Sequence, residues 1–109
     1  MKGIILAGGS GTRMGSDIPK QFIDIYGKPM IIHTLESFDV NPEIDKIMVV
    51  CKSEWQEDLK IWIRKFGLNK VRGIVNGGDT RQESVYNAIR ALDGECTEDD
   101  ILVIHDSAR

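Results

Sequence analysis

The chain has 109 residues, 41% of them hydrophobic and 28% charged, which is enough to bury one hydrophobic core and not two. Its net charge of −3 and pI of about 5.3 argue against broad binding to nucleic acid or to anionic membranes, because both favour a basic surface. No apolar run approaches the roughly 18 residues of a membrane helix and no signal peptide is evident, so we expect a cytoplasmic protein with residues 1–109 in one domain or part of one.

The first predicted elements are a buried strand and a helix. Lys2–Ala7 is a short apolar run that leads directly into glycines, which is typical of a buried strand followed by a loop. Pro29 suits the first turn of a helix that ends before Pro42. The apolar face of this helix comprises Ile31, Leu35 and Phe38.

A second strand and a second helix follow. The run Asp45–Cys51 repeats the buried-strand pattern, and Ser53 with Gln56 matches a capping box at the start of a helix. The apolar face of that helix comprises Trp55, Leu59, Trp62, Ile63 and Phe66. Gly67 is expected to end it.

The last predicted elements are two strands on either side of an amphipathic helix. Val71–Val75 is a strand candidate that ends in the turn-forming residues 76–78. The apolar face of the following helix comprises Val85, Ala88, Ile89 and Leu92. Ile101–Ile104 is the fourth predicted strand, and it runs into His105 and Asp106.

The predicted elements alternate in the order β-α-β-α-β-α-β. Strands joined through helices require crossover connections, which are almost always right-handed, so we expect a mostly parallel sheet with helices on both faces. This is an α/β fold of the Rossmann-like α/β/α type. Ligands of such sheets bind outside the carboxyl ends of the strands, where the sequence places residues 8–15, 77–79 and 105–109.

Cysteine usage gives no signature of a metal site or of disulfides. Cys51 and Cys96 lack a second cysteine or a histidine at ligand spacing. We expect both to be buried structural thiols.

The loop after the first strand could hold phosphate groups. No bulky side chain lies between Gly8 and Gly11, so backbone N–H groups could approach a triphosphate closely. On glycine content alone, a plain flexible turn is an equally good interpretation. The dinucleotide fingerprint requires glycine where Met14 stands, and the Gly-Lys-Ser/Thr of a P-loop is absent, so the pattern favours neither.

Two cations follow this loop. Arg13 can hold two phosphate oxygens through its planar guanidinium group, and Lys20 can act as a point charge. Phosphoryl transfer depends mainly on positioning and charge neutralisation, which such cations supply. Exposed basic side chains are more often solvated surface charges, and this alternative stays open for both residues.

Three motifs together resemble one enzyme family. They are LAGGSGTRMG at 6–15 followed by PKQF at 19–22, then GGDTRQESV at 77–85 and HDSAR at 105–109. In this order they resemble the CTP-dependent cytidylyltransferases that act on 2-C-methyl-D-erythritol 4-phosphate or on D-ribitol 5-phosphate. Sugar-1-phosphate nucleotidyltransferases and molybdenum-cofactor guanylyltransferases begin similarly, and the segment 19–22 narrows the choice towards the cytidylyltransferases.

The resemblance implies a role for individual residues. The loop implied to wrap the CTP phosphates comprises Leu6, Ala7, Gly8, Gly9 and Gly11. Transition-state stabilisation is implied for Arg13 and Lys20, and Mg²⁺ binding for Asp106. Further nucleotide contacts are implied for Gly78, Asp79, Arg81, Ser84, Ser107 and Ala108, of which Gly78, Asp79 and Ser84 would read the cytosine. Contact with the second substrate is implied for Arg109.

Several of these residues also have a plain structural interpretation. Gly78 could be a turn glycine, Asp79 the cap of the following helix and Ser84 an incidental helix residue. Asp106 could be a turn or capping residue, because a single Asp after a strand has that role more often than it binds a metal.

The resemblance also implies a reaction and its partners. The family transfers CMP from CTP to a polyol phosphate, releases pyrophosphate and uses Mg²⁺, and its full-length members are homodimers. Residues 6–9 and 28–34 lean slightly towards the ribitol 5-phosphate branch.

The resemblance covers an N-terminal part of the family's domain. Family members continue well beyond the segment that matches 105–109, so we expect an apparently truncated chain with weak CTP binding and negligible turnover alone. The alternatives are a sugar-1-phosphate nucleotidyltransferase that uses UTP or dTTP, and a nucleotide-binding fragment without turnover.

Overall fold

The computed structural model describes residues 1–7, 24–25, 28–92 and 101–106, with 24–25 described as backbone. Its elements are β1 (Lys2–Ala7), β2 (Asp24–Ile25), β3 (Lys28–Pro29), α1 (Met30–Asp39), β4 (Lys46–Cys51), α2 (Ser53–Lys65), β5 (Val71–Val75), α3 (Arg81–Ala91) and β6 (Leu102–Asp106). Four strands form a parallel sheet in the order β5-β4-β1-β6. The short strands β2 and β3 form a separate antiparallel pair, which the sequence did not predict.

Helices cover both faces of the sheet. Successive residues of a strand point to opposite faces, so each buried strand supplies side chains to two layers. One face buries Ile5 and Val49 against α1 and α2, and the other buries Ile4 and Val50 against Ala88 of α3. Each fully buried Ile or Val side chain contributes about 1.5–3 kcal/mol to folding. The predicted α/β/α architecture is confirmed.

The strand order reverses beside β1. The chain passes from β1 to β4 and β5 on one side and then crosses to β6 on the other side of β1. In open α/β sheets such a reversal creates a crevice at the carboxyl ends of the strands, and ligands bind there. Leu6 of β1 is in register with Asp106 of β6, so the two strands end at the same level. The fold therefore directs a ligand towards the ends of β1 and β6.

The start of α2 differs from the prediction. Lys52 is the N-cap, Ser53 is the first helical residue, and the Lys52 side chain makes no capping hydrogen bond. The Gln56 side chain donates instead to the backbone oxygen of Cys51 at 2.9 Å and to Oδ1 of Asn76 at 2.8 Å. The predicted capping box is therefore wrong, because Gln56 bonds across to a neighbouring strand end. Gly67 ends the helix as predicted, with a left-handed φ of 63° that favours glycine.

Further details differ from the predicted elements, among them the start of β4, which is Lys46 and not Asp45. Pro29 belongs to β3 and is the N-cap of α1, so it precedes the first turn. Ile101 is exposed and precedes β6, and the strand continues through Asp106. Ile89 is 40% exposed, so it lies beside the buried face of α3 and not within it. Within the described residues, none of the helices has the length and apolar character needed to cross a bilayer.

An ion pair joins the start of β1 to the loop before β4. Nζ of Lys2 lies 2.8 Å from Oδ2 of Asp45, and the Lys2 side chain is only 5% exposed. The amino group of Met1 lies 3.4 Å from Oδ1 of the same carboxylate. The hydrogen bond from Lys2 lowers the pKa of Asp45 to about 2.

We expect Asp45→Asn to lower the free energy of unfolding by about 1–2 kcal/mol at pH 7, because a buried ammonium loses a charged acceptor. The pKa of Asp45 is depressed from 3.8, so this contribution is complete above about pH 4 and is lost as the pH falls through about 2. Urea unfolding of both proteins at pH 7 and pH 2 measures the difference. The exposed Asp58→Asn is the matched control, and an equal loss in both variants would contradict the role of the pair.

Candidate functional site

Side chains of α3 hold the turn between β5 and α3. The N–H of Gly78 donates to Oγ of Ser84 at 3.0 Å, and the N–H of Asp79 donates to Oε2 of Glu83 at 2.8 Å. Thr80 is the N-cap, and its Oγ1 accepts from the N–H of Glu83 at 3.1 Å. The structure thus brings Gly78, Asp79 and Ser84 together, and it assigns the cap to Thr80 and not to Asp79.

Close packing explains the glycine at position 78. A Cβ on Gly78 would overlap Cβ of Glu83 and would lie 2.8 Å from its Oε2. Among the described glycines, Gly67 alone has a positive φ, so the backbone conformation of Gly78 is open to other residues. Space, and not backbone strain, therefore requires glycine here.

Asn76 fixes the other end of the same turn. Its Oδ1 accepts from Gln56 of α2, and its backbone oxygen accepts from Nδ2 of Asn87 in α3 at 3.1 Å. Gln56 also binds the end of β4 through Cys51. Two helices and two strand ends thus meet at Asn76, and the only sequence signal for this contact is the position of Asn76 after a strand.

A cleft lies between the start of α2 and this turn. Its volume is about 320 Å³, and it is lined by Lys52, Ser53, Glu54, Asn76, Gly77 and Gly78. Residues 52–54 follow β4 directly, so the cleft lies at the carboxyl edge of the sheet. The sequence prediction treated them as the beginning of a helix and did not include them in a site.

Asp106 and Arg81 meet at the same edge of the sheet. Nη2 of Arg81 lies 3.4 Å from Oδ2 of Asp106, and the two side chains are 56% and 23% exposed. This distance exceeds the roughly 2.7–2.9 Å of a strong charge-assisted bond, and exposed pairs contribute little. The contact between Arg81 and Asp106 is therefore a weak one. The neighbouring residue His105 makes an edge-to-face ring contact with Phe38, with ring centroids 5.7 Å apart.

Asp106 suits Mg²⁺ only in combination with a phosphate ligand. Mg²⁺ prefers oxygen ligands and is commonly held by one or two carboxylates together with substrate phosphates. Over residues 1–7, 24–25, 28–92 and 101–106, no group of three or more His, Cys, Asp or Glu side chains is placed to hold a metal. One carboxylate at the strand end fits a cation that takes its other ligands from a nucleotide and water.

The remaining predicted site residues divide into two groups. Leu6 and Ala7 are buried at the end of β1. Outside the described residues lie Gly8, Gly9, Gly11, Arg13, Lys20, Ser107, Ala108 and Arg109. Their roles stay predictions.

Cys51 is a buried thiol at the end of β4, as predicted, and Cys96 lies outside the described residues. Burial raises the pKa of Cys51 to about 11, so the thiol is neutral at pH 7.

We expect iodoacetamide to modify Cys51 at least about 100-fold more slowly in the folded protein than in urea, because the thiolate is the reactive form. Mass spectrometry of the peptide that contains residue 51 measures both rates. Equal rates would show that the end of β4 opens freely.

Comparison with known proteins assigns the family. The model of the family IspD, 2-C-methyl-D-erythritol 4-phosphate cytidylyltransferase, matches residues 1–109. The chain belongs to this family. The family and fold predicted from the sequence motifs are both confirmed.

The relatives of this family member include enzymes with two different acceptors in their names. The chain is 52% identical to the ribitol-5-phosphate cytidylyltransferase of Lacticaseibacillus paracasei, over 97% of this chain and 45% of the relative. It is 43% identical to the 2-C-methyl-D-erythritol 4-phosphate cytidylyltransferase of Geotalea uraniireducens, over 97% of this chain and 46% of the relative.

A solved structure of the family has the same fold. The Francisella tularensis 2-C-methyl-D-erythritol 4-phosphate cytidylyltransferase is 37% identical, with a TM-score of 0.72 over 99% of this chain and 44% of that one. The chain therefore spans less than half the length of these cytidylyltransferases.

Proposed function

We propose that this chain forms the nucleotide-binding part of an enzyme that transfers CMP from CTP to a polyol phosphate and releases pyrophosphate. The observation that carries the proposal is the convergence of the turn before α3 and Asp106 at the carboxyl edge, in a chain of which residues 1–109 match the cytidylyltransferase family. Ligand binding at this edge is the rule for open α/β sheets.

Gly78, Asp79 and Ser84 are the proposed readers of cytosine. Ser84 accepts a hydrogen bond from Gly78, which uses one acceptor position of its hydroxyl, and the O–H can still donate to a base. Gly78 and Asp79 supply backbone groups and a carboxylate beside it. Fixed donors and acceptors of this kind penalise a wrong base, because a mismatched base leaves polar groups unpaired.

The phosphates of CTP are proposed to lie over the end of β1. The loop residues Leu6, Ala7, Gly8, Gly9 and Gly11 would surround them, and Arg13 and Lys20 would offset the charge that develops in the transition state. Ser107 and Ala108 would lie near the ribose. Asp106 would hold Mg²⁺, which when bound neutralises phosphate charge and orients the phosphate chain. Arg81, 3.4 Å from Asp106, would add a cation next to the same phosphates.

The proposed reaction needs no protein nucleophile. An oxygen of the polyol phosphate attacks the α-phosphorus of CTP, the new P–O bond forms, and the bond to the β-phosphate breaks as pyrophosphate leaves. The incoming phosphate is already anionic, so the protein's contribution is to align two anions and to offset their repulsion. Arg109 would help to bind the acceptor.

We propose D-ribitol 5-phosphate as the acceptor, with 2-C-methyl-D-erythritol 4-phosphate as the second candidate. The higher identity to the ribitol-5-phosphate enzyme, 52% against 43%, supports this order. We also propose that the full-length protein is a cytoplasmic homodimer.

Pyrophosphate release tests the proposal. The assay uses CTP and Mg²⁺ with each of the two acceptors, and it is run on the 109-residue chain and on a form extended to the length of the relatives. CTP-dependent release with one acceptor in the extended form is the expected result. Comparison of CTP with UTP, dTTP and GTP tests the base, and a preference for UTP or dTTP with a sugar 1-phosphate would replace this function by the sugar nucleotidyltransferase reaction.

A further inference from the structure

We propose that Glu83 is a positioning residue for base selection, which acts on the nucleotide through the backbone of Gly78 and Asp79. This inference rests on the proposed function, because it concerns the same turn. Glu83 lies in the first turn of α3 and is exposed, so it has no part in the hydrophobic core.

The hydrogen bonds of Glu83 differ from those of an ordinary capping box. In that motif the acidic side chain at the third helical position reaches back to the N–H of the N-cap residue. Here the N-cap is Thr80, yet Oε2 of Glu83 accepts from the N–H of Asp79, one residue earlier, at 2.8 Å. The carboxylate therefore holds the turn that precedes the helix.

Two neighbouring side chains of α3 each accept a hydrogen bond from one backbone amide of the turn. Ser84 accepts from Gly78 at 3.0 Å and Glu83 accepts from Asp79 at 2.8 Å. A bond to a carboxylate is stronger than one to a neutral acceptor, and the N-terminus of a helix favours a negative charge. The direction of both amides is thus set by α3 before a ligand binds.

Packing reinforces this orientation. The absent Cβ of Gly78 would overlap Cβ of Glu83, so the backbone at 78 lies directly against this side chain. On the other flank, Asn76 is held by Gln56 and Asn87. A turn fixed on both flanks offers its polar groups at defined positions, and a preorganised site loses less affinity to ordering than a flexible one. Discrimination between two pyrimidines that differ in one edge depends on such positions.

Direct binding separates this role from simple helix capping. Calorimetry with CTP and with UTP, each with Mg²⁺, gives a selectivity ratio for the wild type, Glu83→Ala, Glu83→Gln and Thr80→Ala. Glu83→Ala should lower the ratio about tenfold, the scale of one hydrogen bond to a charged group. Glu83→Gln should stay within about threefold of the wild type, because the amide oxygen still accepts from Asp79.

Thr80→Ala is the matched control, because it removes the side-chain cap of α3 and leaves the acceptor of Asp79 in place. It should show a loss of thermal stability similar to that of Glu83→Ala, with an unchanged selectivity ratio. An unchanged CTP/UTP selectivity ratio in Glu83→Ala, or an equal fall of this ratio in Thr80→Ala, would overturn the inference. The CTP preference of the wild type would still stand in both cases. If Glu83→Ala does not fold, a ratio in Glu83→Gln reduced more than about tenfold would overturn it as well. Equal affinity of the wild type for CTP and UTP would instead show that base recognition itself, and the inference with it, is wrong.

Discussion

Asp106→Asn is expected to lower turnover, in the proposed reaction, of a form extended to the length of the relatives by about 10²–10³-fold, the scale for loss of one preorganised charge contact. Asp106 ends β6 in register with Leu6, at the point where the strand order reverses. Asn has the same shape but no charge, so it is a poor ligand for Mg²⁺. The change leaves the strand pairing of β6 in place.

A binding measurement gives a second readout that is independent of turnover. In the wild type, Mg²⁺ should increase the affinity for CTP, and in Asp106→Asn this increase should largely disappear. Glu57→Gln removes one negative charge from an 83% exposed carboxylate on α2, so it controls for net charge and should behave as the wild type does. An unchanged Mg²⁺ effect in Asp106→Asn would return Asp106 to the role of a strand-end residue paired with Arg81.

Gly78→Ala is expected to lower CTP affinity about 100-fold and the free energy of unfolding by about 2–3 kcal/mol, as for an overpacked site. The added Cβ has no space beside Cβ of Glu83, which cannot rotate away as the tip of a side chain can. Either the turn between β5 and α3 or the first helical turn of α3 must move, and the hydrogen bonds that Gly78 and Asp79 donate are then lost.

The matched control is Gly73→Ala in β5. A Cβ at Gly73 would lie 3.5 Å from the sulfur of Met48, an ordinary contact with a flexible side chain. CTP calorimetry and urea unfolding of both variants separate a local effect from a general one. Gly73→Ala should keep the CTP affinity of the wild type, and the same affinity in Gly78→Ala would show that the turn takes no part in binding.

Much of the fold could be predicted because its central strands β1 and β4 are buried on both faces. Lys2–Ala7 matches β1 residue for residue, since a strand of this kind is a largely apolar run. Val71–Val75 matches β5 although Arg72 is exposed, because turn-forming residues follow it at 76–78. Boundaries on the surface were less accurate. Ile101 was included in β6 and is exposed, because an apolar side chain at a strand end is not necessarily buried.

Helix capping could not be predicted from residue spacing alone. Ser53 with Gln56 and Thr80 with Glu83 have the same spacing in the sequence, and of these two pairs only the second forms a side-chain cap, in which Oγ1 of Thr80 accepts from the N–H of Glu83. At the first pair, Gln56 binds Asn76, which is 20 positions away. A side chain near several acceptors takes the one that the tertiary fold brings closest, and that choice is not encoded in spacing.

The sequence by itself determined the alternation of strands and helices and the family, and it placed residues 77–79 and 105–106 after strands at the carboxyl edge. Apolar periodicity and glycine placement act over a few residues, so they can be detected without a structure. Tertiary structure alone decided the strand order β5-β4-β1-β6, the contact between Arg81 and Asp106, and the hydrogen bond from the N–H of Asp79 to Glu83. The strand order and the contact between Arg81 and Asp106 join groups that are distant in sequence. The hydrogen bond from Asp79 to Glu83 depends on the residue at which α3 begins. All three therefore form only when the sheet has assembled and the helices have packed on it.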